Sequence, residues 1–168
     1  MKLTDAHIEL ARLVAIKAHG DQAYDELYPY VKHLDDVANV LRRFGWTLPK
    51  YLCSAYLHDV IEDTDVSYND IKKRFGEEVA EIVFCVTDEM GRNRKEKHEK
   101  TYPKIASNPE AIIIKLADRI ANVEHGGKSE MYVNEYKEFK IKLYSTSVTV
   151  SAPIVIPMWV CLDEFFLK

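Results

Sequence analysis

Residues 58 to 63, HDVIED, gather four ionisable side chains at the end of an apolar run that begins at Tyr51. Residues three and four apart share a helix face, so one helix through this stretch predicts His58 beside Glu62, and Asp59 beside Glu62 and Asp63. Three carboxylates that close together repel one another, and beside apolar neighbours they also lose hydration. A divalent cation relieves both penalties. A solvated acidic helix end is the plain alternative, but the His58-Asp59 pair lies inside an apolar pattern, which favours metal.

Other groups could join this chemistry from a distance. In PEAIIIKLADRIANVEH, Ile112, Ile113, Leu116, Ile120 and Val123 form a core stripe that Asp118 interrupts, with Asn122 one turn later. A buried aspartate is costly unless paired or metal-bound. Its spacing allows a metal or an ion pair with Lys115 or Arg119. His33, taken alone, reads first as a hydrogen-bonded structural histidine and second as a ligand. Tyr24, Tyr28 and Tyr30 lie on a segment with Pro29, where rings either pack on the core or stack on a base. Arg92, Arg94, Lys95 and Lys97 in GRNRKEKHEK read either as a solvated helix face or as a phosphate-attracting rim.

Positioning these groups calls for helices. Thr4 caps a first helix running to about His19 or Gly20, whose core face includes Ile8, Ala11 and Ala15. A second carries Val37, Val40, Leu41 and Phe44 and stops at Gly45. Pro49 opens the central helix, Ser67 with Asp70 forms a capping box, and Gly76 ends the short helix that follows. Further helices are expected at Glu78 to Asp88, from Pro109, and from Glu130 to about Leu143. The β-branched run STSVTVSAPIVI predicts an extended segment before a short helix from Pro157. The expected fold is all-α, one domain over 1–168, with a short hairpin near residues 22–31.

Composition narrows the function classes. The 168 residues are 47% apolar, enough for one sizeable core, and the net charge of −4 argues against bulk nucleic-acid binding. No apolar stretch reads as long enough to span a membrane, and the N-terminus lacks a signal-peptide profile. A cytoplasmic location is expected. Cys53, Cys85 and Cys161 are widely spaced among apolar neighbours and read as small core residues.

His33, then His58-Asp59, then Asp118 reproduce the order H, HD, D of the HD-domain metal-dependent phosphohydrolases. HDVIEDTDVSYNDIKKRFGEEV resembles the HDxxED segment of the RelA/SpoT-type alarmone hydrolases and their stand-alone relatives, KLADRIANV their KLADRxxN, and PYVKHL their PYxxHP. These segments cover about residues 5–125, leaving 126–168 as a C-terminal extension. The resemblance implies an HD helical bundle in which His33, His58, Asp59 and Asp118 ligate metal and Glu62 with Asp63 form the catalytic acidic pair. It also implies that Asn122 touches the nucleotide sugar and that manganese is the usual ion. Two imidazoles with two carboxylates suit Mn²⁺, Fe²⁺ or Zn²⁺ better than Mg²⁺.

The chain departs from that family in one loop. An arginine is common there two residues after the glutamine, and a glycine precedes the proline. Here Gln22 is followed by Ala23 and Tyr24, and Leu27 takes the glycine's place. Tyr24 can stack in place of a guanidinium, without its charge. The expected activity is hydrolysis of a nucleotide phosphate or pyrophosphate ester, with guanosine 3′,5′-bis(pyrophosphate) the leading substrate. The alternatives are a nucleotide or NADPH phosphatase and a catalytically silent nucleotide-binding module. Arg92, Arg94, Lys95 and Lys97 are the candidate phosphate contacts.

Overall fold

Helix signals in the sequence translate directly into elements in a computed structural model, which describes residues 1–127 and 129–167. Nine helices run in order among them: α1 (Asp5–His19), α2 (Val31–Arg43), α3 (Pro49–Leu57), α4 (Val60–Asp63), α5 (Tyr68–Phe75), α6 (Glu77–Val86), α7 (Arg94–Ala106), α8 (Pro109–Gly126) and α9 (Glu130–Phe166). The caps match their residue types. The Thr4 side chain forms a capping box with His7, Ser67 forms one with Asp70, and the Asn93 and Asn108 side chains accept backbone N–H groups at the starts of α7 and α8. Gly45 and Gly76 follow their helices with φ of 86° and 87°, a conformation a side chain resists. The expected hairpin is reduced to one antiparallel bridge between Ala23 and Pro29.

The core forms where α8 lies against α2, α3, α6 and α9, and Ala111 to Ile114, Leu116, Ala117 and Ile120 on α8 are fully buried. Cys53 and Cys85 are buried, Cys161 is half-buried, and all three are free thiols. One helix did not form as expected. The stretch from Tyr51 to Asp63 is interrupted at His58 and Asp59, where Asp59 takes φ −104° and ψ −4° and separates α3 from α4. The interruption removes the helical adjacency of His58 and Glu62.

A second correction concerns residues 145–156, which are helical on either side of Ser151 rather than extended. β-Branched residues lower helix propensity only slightly, and packing overrides it here. Ser147 and Thr149 turn their hydroxyls back onto the carbonyls of Tyr144 and Thr146. Helix α9 is two arms folded back on each other at Ser151, whose φ of −164° and ψ of 91° are not helical. On a straight helix Tyr136 and Phe166 would be about 45 Å apart, yet their ring centroids stack at 4.5 Å. Lys140 pairs with Asp163 at 2.6 Å, and Trp159 Nε1 donates to Ser147 Oγ at 2.9 Å.

By length and composition alone α9 passes for a membrane-crossing helix. The fold-back divides that length between two shorter arms. Trp159, 1% exposed and set against Phe139 and Tyr144, anchors the pair. Trp159→Ala is expected to cost about 3–5 kcal/mol, by the lost burial and the cavity left behind, measured as a lowered urea midpoint.

Candidate metal centre

Three elements converge on one point. His33 comes from the first turn of α2, His58 and Asp59 from the break between α3 and α4, and Asp118 from the middle of α8. His33 Nε2 lies 3.3 Å from His58 Nε2 and 3.3 Å from Asp118 Oδ1, and His58 Nε2 is 3.9 Å from the same oxygen. His33, His58 and Asp118, all buried, offer ligand atoms within 4.8 Å of one another and form a candidate metal site. Asp59 Oδ2 adds an oxygen 2.9 Å from His58 Nε2 and 3.8 Å from His33 Nε2.

The donor set fits a divalent ion. His58 Nδ1 lies 2.8 Å from the Ala55 carbonyl, so that nitrogen carries a proton and Nε2 is the ring atom that faces the centre and is placed to ligate. Donor atoms roughly 3.3 Å apart match the edges of a polyhedron whose metal-ligand bonds are about 2.0–2.2 Å. Electrostatics point the same way. Burial opposes charge on His58, but Asp59 and Asp118 outweigh it and raise its pKa to about 9. Burial likewise pushes the Asp59 and Asp118 carboxyls up, and their cationic neighbours win: His58 lowers Asp59, and Lys115 with His33 holds Asp118 well below the usual range. A cluster this dense in lone pairs and negative charge is arranged for a cation.

Surrounding groups orient the ligands. Tyr30 donates its hydroxyl to Asp59 Oδ2, and Asn122 Nδ2 donates to Asp118 Oδ1 at 2.6 Å. Tyr24 lies over His33 with centroids 4.8 Å apart and donates its hydroxyl to Asn122 Oδ1 at 2.8 Å. The Asn122 amide is therefore engaged within the protein at both ends. Lys115 Nζ is 3.0 Å from Asp118 Oδ2, which makes Lys115, not Arg119, the ion partner that spacing had allowed.

Beside the centre lies a cavity of about 210 Å³ whose lining includes Glu62, Asp63, Asp88, Arg94, His98, Arg119 and Tyr132. Glu62 accepts from the Asp88 backbone N–H at 3.1 Å, and Asp63 accepts from Gln22 Nε2 at 3.2 Å, so the two acids point apart rather than toward His58. Desolvation, with Asp88 and Asp59 nearby, raises the Glu62 carboxyl above its ordinary value despite that N–H and Lys115. Of the four expected basic contacts only Arg94 lines the cavity. Arg92, with a side chain 90% exposed, pairs with Glu96, and Lys95 lies 4.0 Å from Glu99. Lys97 also lies outside the lining. Sequence reading missed Gln22, Tyr30 and Asp88 as supports, and no local pattern could have marked them.

An all-helical domain built round a buried His/Asp centre of this connectivity is the architecture of a known family. A model of the HD domain matches residues 11–145, and the chain belongs to that family. It is 37% identical over 121 residues to the guanosine-3′,5′-bis(diphosphate) 3′-pyrophosphohydrolase of Aquifex aeolicus, a match covering 70% of this chain and 17% of that protein. It is 33% identical over 141 residues to the mouse guanosine-3′,5′-bis(diphosphate) 3′-pyrophosphohydrolase MESH1, covering 79% of each. The chain thus spans less than a fifth of its Aquifex relative and about four-fifths of the mouse one. A solved structure of a metazoan SpoT orthologue, described as hydrolysing ppGpp, superimposes with a TM-score of 0.76 at 27% identity over 99% of this chain and 97% of the other. A crystal structure of a Listeria monocytogenes protein shares the fold, with a TM-score of 0.62 at 23% identity over 81% of this chain and 99% of the other.

Proposed function

We propose that this chain is a metal-dependent phosphohydrolase of nucleotides that acts first on guanosine 3′,5′-bis(pyrophosphate) and releases pyrophosphate from the 3′ position. The observation that carries the reading is the convergence of His33, His58, Asp59 and Asp118 within 4 Å contacts beside a cavity that also holds two further acids. Similarity to the mouse hydrolase along most of both chains supports the substrate class.

His33, His58, Asp59 and Asp118 would hold the ion, with manganese the first choice for this mixed nitrogen and oxygen donor set and Fe²⁺ or Zn²⁺ the alternatives. Such an ion polarises a phosphoryl oxygen and lowers the pKa of water into the neutral range. Glu62, a cavity-lining carboxyl that burial raises above its ordinary value, takes and returns the proton of the attacking water, and Asp63 orients that water. Gln22 holds Asp63 in place, and its own Oε1 lies 2.8 Å from His19 Nδ1. Arg94 and Tyr24 contact the substrate. Asn122 supports Asp118 and reaches the sugar once Tyr24 releases its amide oxygen.

Residues 1–168 work as one domain in this reading. Tyr132 of the C-terminal hairpin lines the cavity, and the family match runs to residue 145, past the 125 at which the resemblance in sequence ended. The free cysteines agree with a reducing cytoplasm. A panel of guanosine tetraphosphate, guanosine pentaphosphate, nucleoside monophosphates and NADPH, incubated with Mn²⁺ and resolved by product, tests the proposal. Pyrophosphate from the first two supports it. Inorganic phosphate from the others alone would replace the alarmone reading with a phosphatase, and no product from any substrate would overturn it.

A further inference from the structure

One carboxylate of the C-terminal hairpin pairs with residues of the cavity lining that are not metal ligands. Glu135, on the first arm of α9, accepts from Arg94 Nε and, at 3.1 Å, from Arg94 Nη2. Its Oε2 also lies 3.6 Å from Arg119 Nη1, and His98 Nδ1 is 4.0 Å from Oε1. Glu135 therefore ties α7, α8 and α9 together at a single point.

Arg119 explains why the hairpin sits there. It follows Asp118 on α8, is 3% exposed, and its guanidinium lies 4.4 Å from the Tyr132 ring and 4.7 Å from the Phe139 ring, both on the same arm as Glu135. Among the described residues its Nη1 has no hydrogen-bond partner. A buried guanidinium so poorly hydrogen-bonded is costly unless compensated by charge and by ring faces, and Glu135, Tyr132 and Phe139 supply both. Arg119 anchors the arm, and the arm fixes the height of Glu135 over the cavity.

Arg94 is different. Its side chain is 46% exposed, it lines the cavity, and the side-on pair with Glu135 occupies only Nε and one Nη2 proton. A guanidinium has five N–H donors in a rigid fork, so three remain for another anion. Free in solvent, such a side chain would sample many rotamers, and ordering it costs conformational entropy. The Glu135 pair meets that cost before substrate arrives.

We propose that Glu135 is a positioning residue that presents Arg94 to a second anionic group of the substrate, separate from the phosphoryl group held at the His33, His58 and Asp118 centre. The inference rests on the phosphohydrolase reading and deepens it: the preferred substrate carries two separated phosphate groups, one over the metal ligands and one at Arg94. Arg92, Lys95 and Lys97, outside the cavity, take no part.

Steady-state hydrolysis of guanosine tetraphosphate by the full chain tests this, with melting temperature and bound metal recorded for every variant. Glu135→Gln keeps the size of the side chain but removes its charge and one of the two acceptors. KM is expected to rise about tenfold with kcat within twofold. Arg94→Ala, a surface change that leaves Glu135 with Arg119, is expected to give a similar KM shift, and the double variant no more than Arg94→Ala alone. A fall in kcat at unchanged KM, or additive effects in the double variant, would overturn the inference while wild-type hydrolysis leaves the proposed function standing. A wild-type protein that hydrolyses no nucleotide overturns that function and this inference with it.

Discussion

Asp118→Asn is expected to abolish hydrolysis, by about 10³-fold or more, and to empty the site of divalent ion. The substitution keeps the shape of the side chain and an oxygen for the Asn122 amide, which donates to Asp118 Oδ1 at 2.6 Å. It removes the negative charge that Lys115 and His33 compensate. Metal catalysis commonly supplies several kcal/mol of transition-state stabilisation, and each ~1.4 kcal/mol is tenfold in rate. His58→Ala should behave alike, because the Ala55 carbonyl then has no ring to orient and the centre loses one imidazole. Inductively coupled plasma analysis alongside a turnover assay checks both variants. Retention of a full complement of ion in either would remove that residue from the ligand set.

Glu62→Gln is expected to separate binding from turnover. Glu62 Oε2 accepts the Asp88 N–H at 3.1 Å, and Glu62 is not one of the residues whose ligand atoms converge at the centre, so the amide should fit and the ion should stay. A general acid or base contributes about 10²–10⁴-fold, and kcat should fall by that range with bound metal unchanged. Activity within a few-fold of wild type in Glu62→Gln would assign proton transfer elsewhere, with Asp63 and Asp88 the nearest cavity acids. Loss of metal together with activity would make Glu62 a support of the centre instead.

The parts of this site that could be read in the sequence are those whose chemistry clashes with their surroundings. Asp118 inside a run of isoleucines and His58-Asp59 inside an apolar run both demand compensation, and the residue types alone say so. The arrangement was less legible. Helical spacing placed Glu62 beside His58, whereas the break at Asp59 turns His58 toward His33 and Asp118 and leaves Glu62 to Asp88. No glycine or proline lies in that stretch to mark the break.

Long-range partners were hidden for the same reason. Tyr30 on Asp59, Gln22 on Asp63 and Glu135 on Arg94 are ordinary polar residues until the chain folds. The four basic residues of GRNRKEKHEK looked equivalent as a charge run, and only the register of α7 against α9 separates Arg94, in the cavity, from Arg92 in solvent. In the fold, capping boxes and terminating glycines marked helix ends reliably. The run from Ser145 to Ile156 misled because β-branched content is a weak preference, and Trp159 on Ser147 with Tyr136 on Phe166 outweighs it.

The account turns on whether these distant residues hold a single working ion. Metal content of the purified chain, measured before and after exhaustive chelation and set against hydrolysis of guanosine tetraphosphate in the same samples, tests this most directly. One divalent ion per chain, activity lost on its removal and restored by Mn²⁺, is the result expected. Undiminished hydrolysis by metal-free protein would contradict it.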